Sequence, residues 1–347
     1  MSFSKEKRER IISYLLEKIY TDDSEVIKKV SENFEITPTS VRRYIDTLTD
    51  KKIIKLDKKT QCGYTLISKK ICFHYINKDL DESEIYFRDI APALDPSLTP
   101  EARKIWAYVF TEICNNAIEH SQCNELLIEI LKNHLHTDIV IQDNGIGIFD
   151  HISNTMSKQQ GRKIDIHSAI MELHKGKFTS DSSHHSGEGI FFSSKMVDCF
   201  IIQSGGYAFK ESLGSNELIE SRLLSYYHKF NHIGTRAIIR VSNQTKRETK
   251  EVFDMFCDED FNFCKTKIPV REINPMAYPV SRSEARRMLL RMEQFSDITL
   301  DFNGVDEMGQ GFAHEVFVVF QNEHPDIHIH ADHANRMVQK MISHVKN

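Results

Sequence analysis

The sequence predicts a multidomain α+β protein in which three regions follow different patterns. The first 70 residues hold three short helical patterns and then an alternating stretch typical of a hairpin. A middle region, residues 75–242, mixes helices and strands, and residues 265–347 alternate strand and helix. A chain of 347 residues with 40% hydrophobic residues can form two or three cores of this kind.

The N-terminal region, residues 1–70, has the layout of a winged helix-turn-helix. Helices are expected over residues 5–19 and 24–33, and a third begins after Thr37, a good N-cap, with Pro38 in its first position. The region carries 16 Lys/Arg and 11 Asp/Glu, whereas the rest of the chain carries 29 and 39. A basic head on an acidic body favours contact with a polyanion, although solvated helices also carry such an excess.

The head resembles winged helix-turn-helix DNA-binding domains. This resemblance implies that Arg42 and Arg43 project from the recognition helix. It also places Lys58 and Lys59 in the wing, near the minor groove or the phosphate backbone. Many winged helices bind protein instead, so DNA and protein both stay open as partners.

A helix predicted over residues 100–121 places three polar side chains on one face, since residues four apart are neighbours. They are Glu112, Asn116 and His120. The amide oxygen of Asn116 is a ligand type that Mg²⁺ accepts, and a carboxylate such as Glu112 can orient or deprotonate a hydroxyl group or water. Taken alone, the same spacing also fits an ordinary amphipathic helix.

The strand IVIQ leads directly into DNGIGIF. Asp143, at the strand end, can accept a hydrogen bond from an exocyclic amine. Gly145 and Gly147 allow the backbone to approach a ligand closely. An isolated Asp-Asn-Gly sequence also occurs in ordinary turns.

A long polar stretch, residues 150–186, follows and predicts a loop with one helix near residues 166–173. After it, Gly187 and Gly189 open a helix whose free N–H groups can hold a phosphate. No Walker sequence, GxxxxGK[ST], occurs in the chain.

The order ExxxNAxxxH, DNGxG, flexible segment, GxG and GT-initiated strand resembles the GHKL, or Bergerat-fold, ATPases. TEICNNAIEHS is most similar to the anti-sigma-factor serine kinase branch of that superfamily. The resemblance implies a Bergerat α/β sandwich over residues 75–242, with a mixed sheet and helices on one face. It implies ATP and Mg²⁺ as ligands, Glu112 as general base and Asn116 as the Mg²⁺ ligand.

The same resemblance implies roles for the remaining matched positions. Asp143 would hold the adenine amino group, beside a wall shaped by Gly145 and Gly147. Residues 150–186 would form the ATP lid. The residues implied behind the phosphates are Gly187 and Gly189, with Thr235 near the adenine and Lys195 as a further candidate phosphate contact.

In the C-terminal region, LDFNGVDEMGQGF resembles the strand-turn-helix of STAS domains, the partners of anti-sigma kinases. It is most similar to STAS-like domains of unknown function fused behind such ATPases. STAS antagonists accept phosphate on a serine at the start of the following helix. This chain has no serine in that turn, residues 308–311, so phosphorylation in cis at that place is not expected.

Histidines and cysteines complete the candidates. His184 and His185, and the set His328, His330 and His333, suggest either a metal site or surface histidines, and the second reading is preferred. Seven cysteines without CxxC spacing fit a reducing compartment. With no secretory signal and no run of 18 apolar residues, a cytoplasmic protein that does not enter the membrane is expected.

The sequence thus predicts an ATP-dependent cytoplasmic regulator, of transcription if the head binds DNA, in which slow ATP hydrolysis resets a switch. The alternative is a protein serine/threonine kinase that acts on a separate STAS-domain partner. A third interpretation is a nucleotide-binding scaffold without turnover. Pairing into a homodimer fits all three.

Overall fold

A computed structural model describes residues 4–178, 188–212, 217–227, 233–273 and 278–346. Within these ranges the chain forms three β-sheets, one in each predicted region. The largest has six strands and lies in the middle region. No helix in the described ranges is both long and apolar enough to cross a lipid bilayer.

The N-terminal region contains the expected three helices and small antiparallel hairpin. They are α1 (Lys5–Tyr20), α2 (Val26–Phe34), α3 (Pro38–Asp50), β1 (Ile54–Leu56) and β2 (Tyr64–Leu66). Thr37 caps α3, because its hydroxyl accepts a hydrogen bond from the Ser40 backbone N–H 3.2 Å away. Apolar side chains at helical spacing give the region a core of its own: Ile11, Leu15, Leu16, Val30, Val41, Ile45 and Leu48.

The strands of the middle sheet are β3 (Lys69–Ile76), β4 (Glu125–Lys132), β5 (His136–Asp143), β6 (Cys199–Ser204), β7 (Tyr207–Ser212) and β8 (Thr235–Ser242). Their order is β3-β4-β5-β8-β6-β7. The expected mixed sheet is wrong, since every pairing is antiparallel. Short turns join β4 to β5 and β6 to β7, which forces hairpins, and β8 enters between β5 and β6 opposed to both.

The helices of the middle region are α4 (Glu82–Ile85), α5 (Ala91–Ala93), α6 (Pro100–Asn115), α7 (Ile148–Gln160), α8 (Ile166–Lys175), α9 (Gly189–Met196) and α10 (Glu217–Tyr226). Two π-helical segments, Tyr86–Ile90 and Asn116–His120, continue α4 and α6. The expected long loop is wrong for its first part. Residues 148–160 form α7, because an apolar stripe that includes Phe149, Ile152 and Met156 is buried.

The two faces of the sheet have separate cores. Ile139 and Ile141 of β5 point into the large core that contains α6 and α9, whereas Val140 between them packs with Leu223 of α10 on the other face. The expectation that all helices cover one face is therefore wrong for α10.

The C-terminal region contains α11 (Thr249–Phe256), β9 (Lys265–Pro269), α12 (Arg282–Leu289), β10 (Asp297–Asp301), α13 (Gln310–His314), α14 (Gln321–Glu323), β11 (His328–Asp332) and α15 (Arg336–Lys346). A π-helical segment, Glu315–Phe320, joins α13 to α14, and 3₁₀ turns cover Val270–Ile273 and Met292–Gln294. The strands form a parallel sheet in the order β11-β10-β9. Unlike the N-terminal region, this region shares one continuous core with the middle region.

Candidate functional site

A cavity of about 310 Å³ opens beside the end of β5 and the start of β8. The C-terminal part of α6, the π-helical segment after it and the start of α7 supply much of its lining. Six of the predicted site residues line it: Glu112, Asn116, Asp143, Gly147, Gly189 and Thr235. Gly145 is not part of the lining, and Gly187 lies outside the described residues.

Asp143 ends β5 and is only 4% exposed. Its Oδ1 accepts hydrogen bonds from the backbone N–H groups of Gly145, at 2.8 Å, and Thr235, at 3.2 Å. Burial raises the pKa of this carboxyl, and the backbone donors partly oppose that shift. A carboxylate accepts up to about four hydrogen bonds, so Asp143 keeps acceptor capacity for a ligand.

Gly145 supports this wall from behind. A Cβ on Gly145 would overlap the carbonyl oxygen of Ser121, which also accepts a hydrogen bond from the Ile146 N–H at 2.9 Å. Gly147, the N-cap of α7, has a φ of 83°, in the left-handed region that favours glycine. Glycine at position 145 lets the turn lie against Ser121, which follows the π-helical segment, and glycine at position 147 leaves room for the Ser204 side chain.

Glu112 and Asn116 lie one turn apart and both line the cavity. The side-chain Nδ2 of Asn116 donates a 2.8 Å hydrogen bond to the Glu112 carbonyl oxygen. The amide nitrogen is therefore engaged by the helix, and the amide oxygen is the atom that can serve a ligand. Asn116 is also where the helix changes to π geometry, a feature that is frequent at functional sites.

Gly189 borders the Glu112 carboxylate. A Cβ on Gly189 would overlap Glu112 Oε2, so this glycine makes room for the carboxylate at the start of α9. Lys195, the further candidate on the same helix, contacts a carboxylate outside the cavity. Its Nζ lies 3.0 Å from Glu211 Oε2, and it is absent from the cavity lining.

Several cavity residues were missed by sequence reasoning. Leu173 and Phe178 line the cavity from α8 and the turn after it, within a stretch whose polar composition gives no such signal. His151, on α7, also lines it. The His151 Nε2 is buried without a hydrogen-bond partner in the structure, and burial lowers its pKa. His151 lies four residues after Gly147, which places both on one helix face, and this spacing could have identified His151 as a cavity residue.

The four basic residues predicted to contact DNA are all exposed. Arg42 and Arg43 lie on α3, and Lys58 and Lys59 lie in the turn between β1 and β2. These positions are compatible with the predicted contact surface.

The predicted histidine sites resolve differently. His328 and His330 of β11 are exposed, and His184 and His185 lie outside the described residues. Among the described residues, the group with metal-ligand spacing is instead Asp301, Asp332 and His333. The Nζ atom of Lys267 lies 3.2 Å from Asp301 and 2.6 Å from Asp332, so one lysine already forms ion pairs with both carboxylates.

Two family models match the chain, and together they cover most of the cavity and the C-terminal sheet and helices. Residues 102–244 match the histidine kinase-, DNA gyrase B- and HSP90-like ATPases. Residues 284–339 match a STAS-like domain of unknown function. No curated protein matches the chain.

The ATPase-like region, residues 102–244, contains all six cavity residues predicted from the sequence. A domain of this family fits ATPase or kinase activity. Together with the STAS-like region, residues 284–339, it indicates an ATP-dependent regulator.

Proposed function

We propose that the chain is a regulator of transcription, in which Mg-ATP binding and slow hydrolysis in the ATPase-like region switch a DNA-binding N-terminal region and the STAS-like region. The observation that carries the proposal is the cavity. Carboxylate, amide and glycine groups from four separate segments of the ATPase-like region meet there. Their chemistry suits the base, the metal and the phosphates of one nucleotide.

At the base end, the Asp143 carboxylate accepts a hydrogen bond from the exocyclic amine of adenine. Thr235 lies beside it, and its Oγ1 accepts a hydrogen bond from the Ile148 N–H at 3.0 Å, which ties β8 to the start of α7. Gly147 keeps this side of the cavity free of a side chain. Adenine is selected because its amine is a donor, whereas guanine presents a carbonyl oxygen at the corresponding position.

At the phosphate end, the residues fit Mg²⁺ and a water nucleophile. The Asn116 amide oxygen is a hard ligand for Mg²⁺, which neutralises phosphate charge when it is bound. The Glu112 carboxylate orients the attacking water and takes its proton. Gly189 allows the backbone at the start of α9 to approach the phosphates, and the sequence resemblance implies the same role for Gly187, which lies outside the described residues.

A buried polar contact links the N-terminal region to the same strands. Arg240 of β8 pairs with Asp138 of β5 through both guanidinium Nε and Nη2, at 2.6 and 2.8 Å. Its Nη1 donates a 2.6 Å hydrogen bond to the Tyr20 hydroxyl at the end of α1. Asp143 and Thr235 lie at the opposite ends of β5 and β8, so the strands that hold the base also contact the head.

The first test is calorimetric titration of the full chain with Mg-ATP. Wild type should bind, and Asp143→Asn should weaken binding at least about 100-fold, because the amide presents a donor as well as an acceptor to the amine. Asp254→Asn, an exposed change on α11, is the matched control and should bind as wild type does.

Equal binding by the Asp143 and Asp254 variants would contradict the assignment of the base end. No binding by folded wild type would overturn the proposed function as a whole.

The kinase alternative keeps the same site, and Glu112 fits it equally as the base that activates a serine hydroxyl. Labelled ATP separates the two. Release of free phosphate alone supports the switch, whereas transfer of label to a STAS-domain protein supports the kinase. The turn before α13 reads Met308-Gly309-Gln310-Gly311, so the acceptor in the kinase case is a serine of another protein.

DNA binding is tested by the salt dependence of affinity. Each Lys or Arg that contacts a phosphate contributes a slope of about 0.9 in log K against log salt. Replacing Arg42 and Arg43 by alanine should reduce the slope by about one to two and weaken binding to duplex DNA. Lys28→Ala, on α2, should change neither. Equal slopes for all variants would indicate a protein partner for the head.

A further inference from the structure

One segment of the ATPase-like region, residues 166–178, belongs to two structures at once. Its inner side supplies Leu173 and Phe178 to the cavity lining. Its outer side packs on β9 and α12 of the C-terminal region, where the Thr266 hydroxyl donates a 3.0 Å hydrogen bond to the Lys175 carbonyl oxygen. The cavity wall is therefore also a domain contact.

Lys175 is the centre of that contact, and its side chain is only 2% exposed. Its Nζ donates to Glu172 Oε1 at 2.6 Å and to the Leu290 carbonyl at 2.7 Å, with the Arg287 carbonyl at 3.5 Å. Burial lowers the Lys175 pKa, and Glu172 opposes this shift. The two carbonyls belong to the C-terminal end of α12, where a cation is favoured by the helix dipole.

Arg291, which follows α12, makes a second set of contacts with residues 166–178. Its Nη2 donates to the Lys177 carbonyl at 2.8 Å, and its Nη1 lies 3.6 Å from Glu172 Oε2. Its guanidinium carbon lies 5.5 Å from the centre of the Phe178 ring, within cation–π range. One arginine of the C-terminal region thus contacts the backbone, a carboxylate and an aromatic ring of the cavity wall.

The backbone at Arg291 is itself unusual, since its φ is 64°. A left-handed conformation at a residue with a side chain is unfavourable and persists only where its surroundings impose it. The three contacts of the Arg291 side chain supply that constraint.

The chemistry of the junction favours two discrete states. A buried ammonium–carboxylate pair is stable only when all its partners are in place, and removal of one partner leaves a buried charge. Glu172 and Lys175 therefore need the α12 carbonyls and Arg291 together, so the segment is either docked or released.

We propose that Arg291 and Lys175 are positioning residues, through which the STAS-like region sets the shape of the ATP cavity wall formed by Leu173 and Phe178. The inference rests on the proposed function, because the wall matters only if the cavity binds ATP. Linkage is reciprocal. Any partner that pulls the STAS-like region from the segment weakens ATP binding, and ATP strengthens the docking.

The test compares the full-length Arg291→Ala and Arg291→Lys chains with Arg282→Ala, an exposed arginine change at the other end of α12. Arg291→Ala should raise the Kd for Mg-ATP at least about 5-fold, the lower end of usual coupling. The KM should rise in parallel, with kcat within about 2-fold, because Glu112 is untouched. Arg291→Lys keeps the charge but lacks the planar fork, so its effect should be intermediate.

A second measurement is hydrogen exchange with and without Mg-ATP. In wild type and Arg282→Ala, ATP should slow exchange in residues 282–294, far from any nucleotide contact. In Arg291→Ala this protection should be lost even at saturating ATP. If Arg291→Ala merely destabilised the fold, its hydrogen exchange would already be faster than that of wild type without ATP. In that case the ATP-dependent protection of Arg291→Lys tests the inference instead.

If wild type binds ATP but the Arg291 variants match Arg282→Ala in Kd and protection, the positioning inference is wrong while the proposed function stands. If wild type does not bind ATP, both are overturned.

Discussion

The two sides of the cavity differ in where their support comes from. The base side stands on the central sheet: Asp143 ends β5, Thr235 begins β8, and both strands are paired along their full length. The opposite side, with Leu173 and Phe178, belongs to the segment around α8, which packs on α7 and is also joined to the C-terminal region by polar contacts.

The contacts of the base side are donated mainly by backbone N–H groups, and they come from the ends of paired strands. Asp143 is held by the N–H groups of Gly145 and Thr235, and Gly234, with a φ of 72°, packs directly on the Asp143 carbonyl. Such contacts leave little room for an alternative arrangement. The base side is therefore suited to selecting the nucleotide.

The contacts of the α8 side join residues more than 110 positions apart, such as Lys175 with Leu290 and Lys177 with Gln294. They involve long side chains and exposed or half-buried carbonyls, which a change in the C-terminal region can release. We therefore expect the two sides of the cavity to differ in function. The base side sets which nucleotide binds, and the α8 side sets how tightly the nucleotide binds.

The largest effect should come from Glu112→Gln. Glutamine keeps the size of glutamate but cannot take a proton, so ATP turnover should fall about 10²–10⁴-fold while the Kd for ATP changes little. Glu119→Gln is the control, because Glu119 is an exposed residue of the π-helical segment that follows α6. Turnover at background level in both wild type and Glu112→Gln would favour a nucleotide-binding scaffold without hydrolysis.

Gly145→Ala should come next. The added methyl group overlaps the Ser121 carbonyl, so the turn that orients Asp143 must move and ATP affinity should fall about 10–100-fold. Gly311→Ala is matched, because its Cβ would meet neighbours at an ordinary 3.4 Å. Calorimetry of both variants checks the prediction, and equal affinities would show that the base side tolerates displacement.

The sequence predicts the base side well because its signals are local. Glu112 and Asn116 are four apart on one helix, and Asp143 ends an apolar strand before a glycine turn. Each pattern alone also fits an ordinary helix or turn, and the resemblance of their order to the GHKL ATPases implies that they meet one ligand. The cap of α3 is predicted for the same reason, since Thr37 makes its capping hydrogen bond within three residues.

The α8 side is not predicted, for a physical reason. Lys175 lies in the run HKGKF, where lysine is expected in water, and its burial depends on the Leu290 carbonyl after α12 together with Glu172. Helix α7 is a different case. Its stripe of Phe149, Ile152 and Met156 is visible in the sequence, but the Ser, Asn, Lys and Gln residues around it hide the amphipathic pattern.

The pH dependence of stability sharpens the contrast through Glu211. Burial alone would raise its pKa, but Lys195 and His174 lower the pKa of Glu211 to about 2. Because the unfolded value is about 4.3, this group stabilises the fold above about pH 5, and the contribution disappears as pH falls towards 2. Its size is on the order of 3 kcal/mol at most.

His174 is on α8, so its contact with Glu211 connects the α8 side of the cavity to β7. Glu211→Gln should therefore be less stable than wild type at pH 7, and its unfolding free energy should fall less steeply between pH 5 and pH 3. Denaturant titrations at several pH values measure this. Parallel curves for the two proteins would show that the ion pair does not anchor α8.

The smallest effect, and the most specific, is the coupling between Arg291 and Phe178. If the guanidinium acts on the cavity through the Phe178 ring, Arg291→Ala should cost less ATP affinity in a Phe178→Ala background than in wild type. The expected interaction energy is about 0.5–1 kcal/mol.

Ile146, which lines the cavity from the base side, provides the matched cycle, and Arg291→Ala with Ile146→Ala should be additive. Equal coupling in both cycles would mean that Arg291 stabilises the whole cavity rather than one side. Additivity in both would mean that its contacts with Glu172 and the Lys177 carbonyl, and not the ring, carry the linkage between the STAS-like region and ATP.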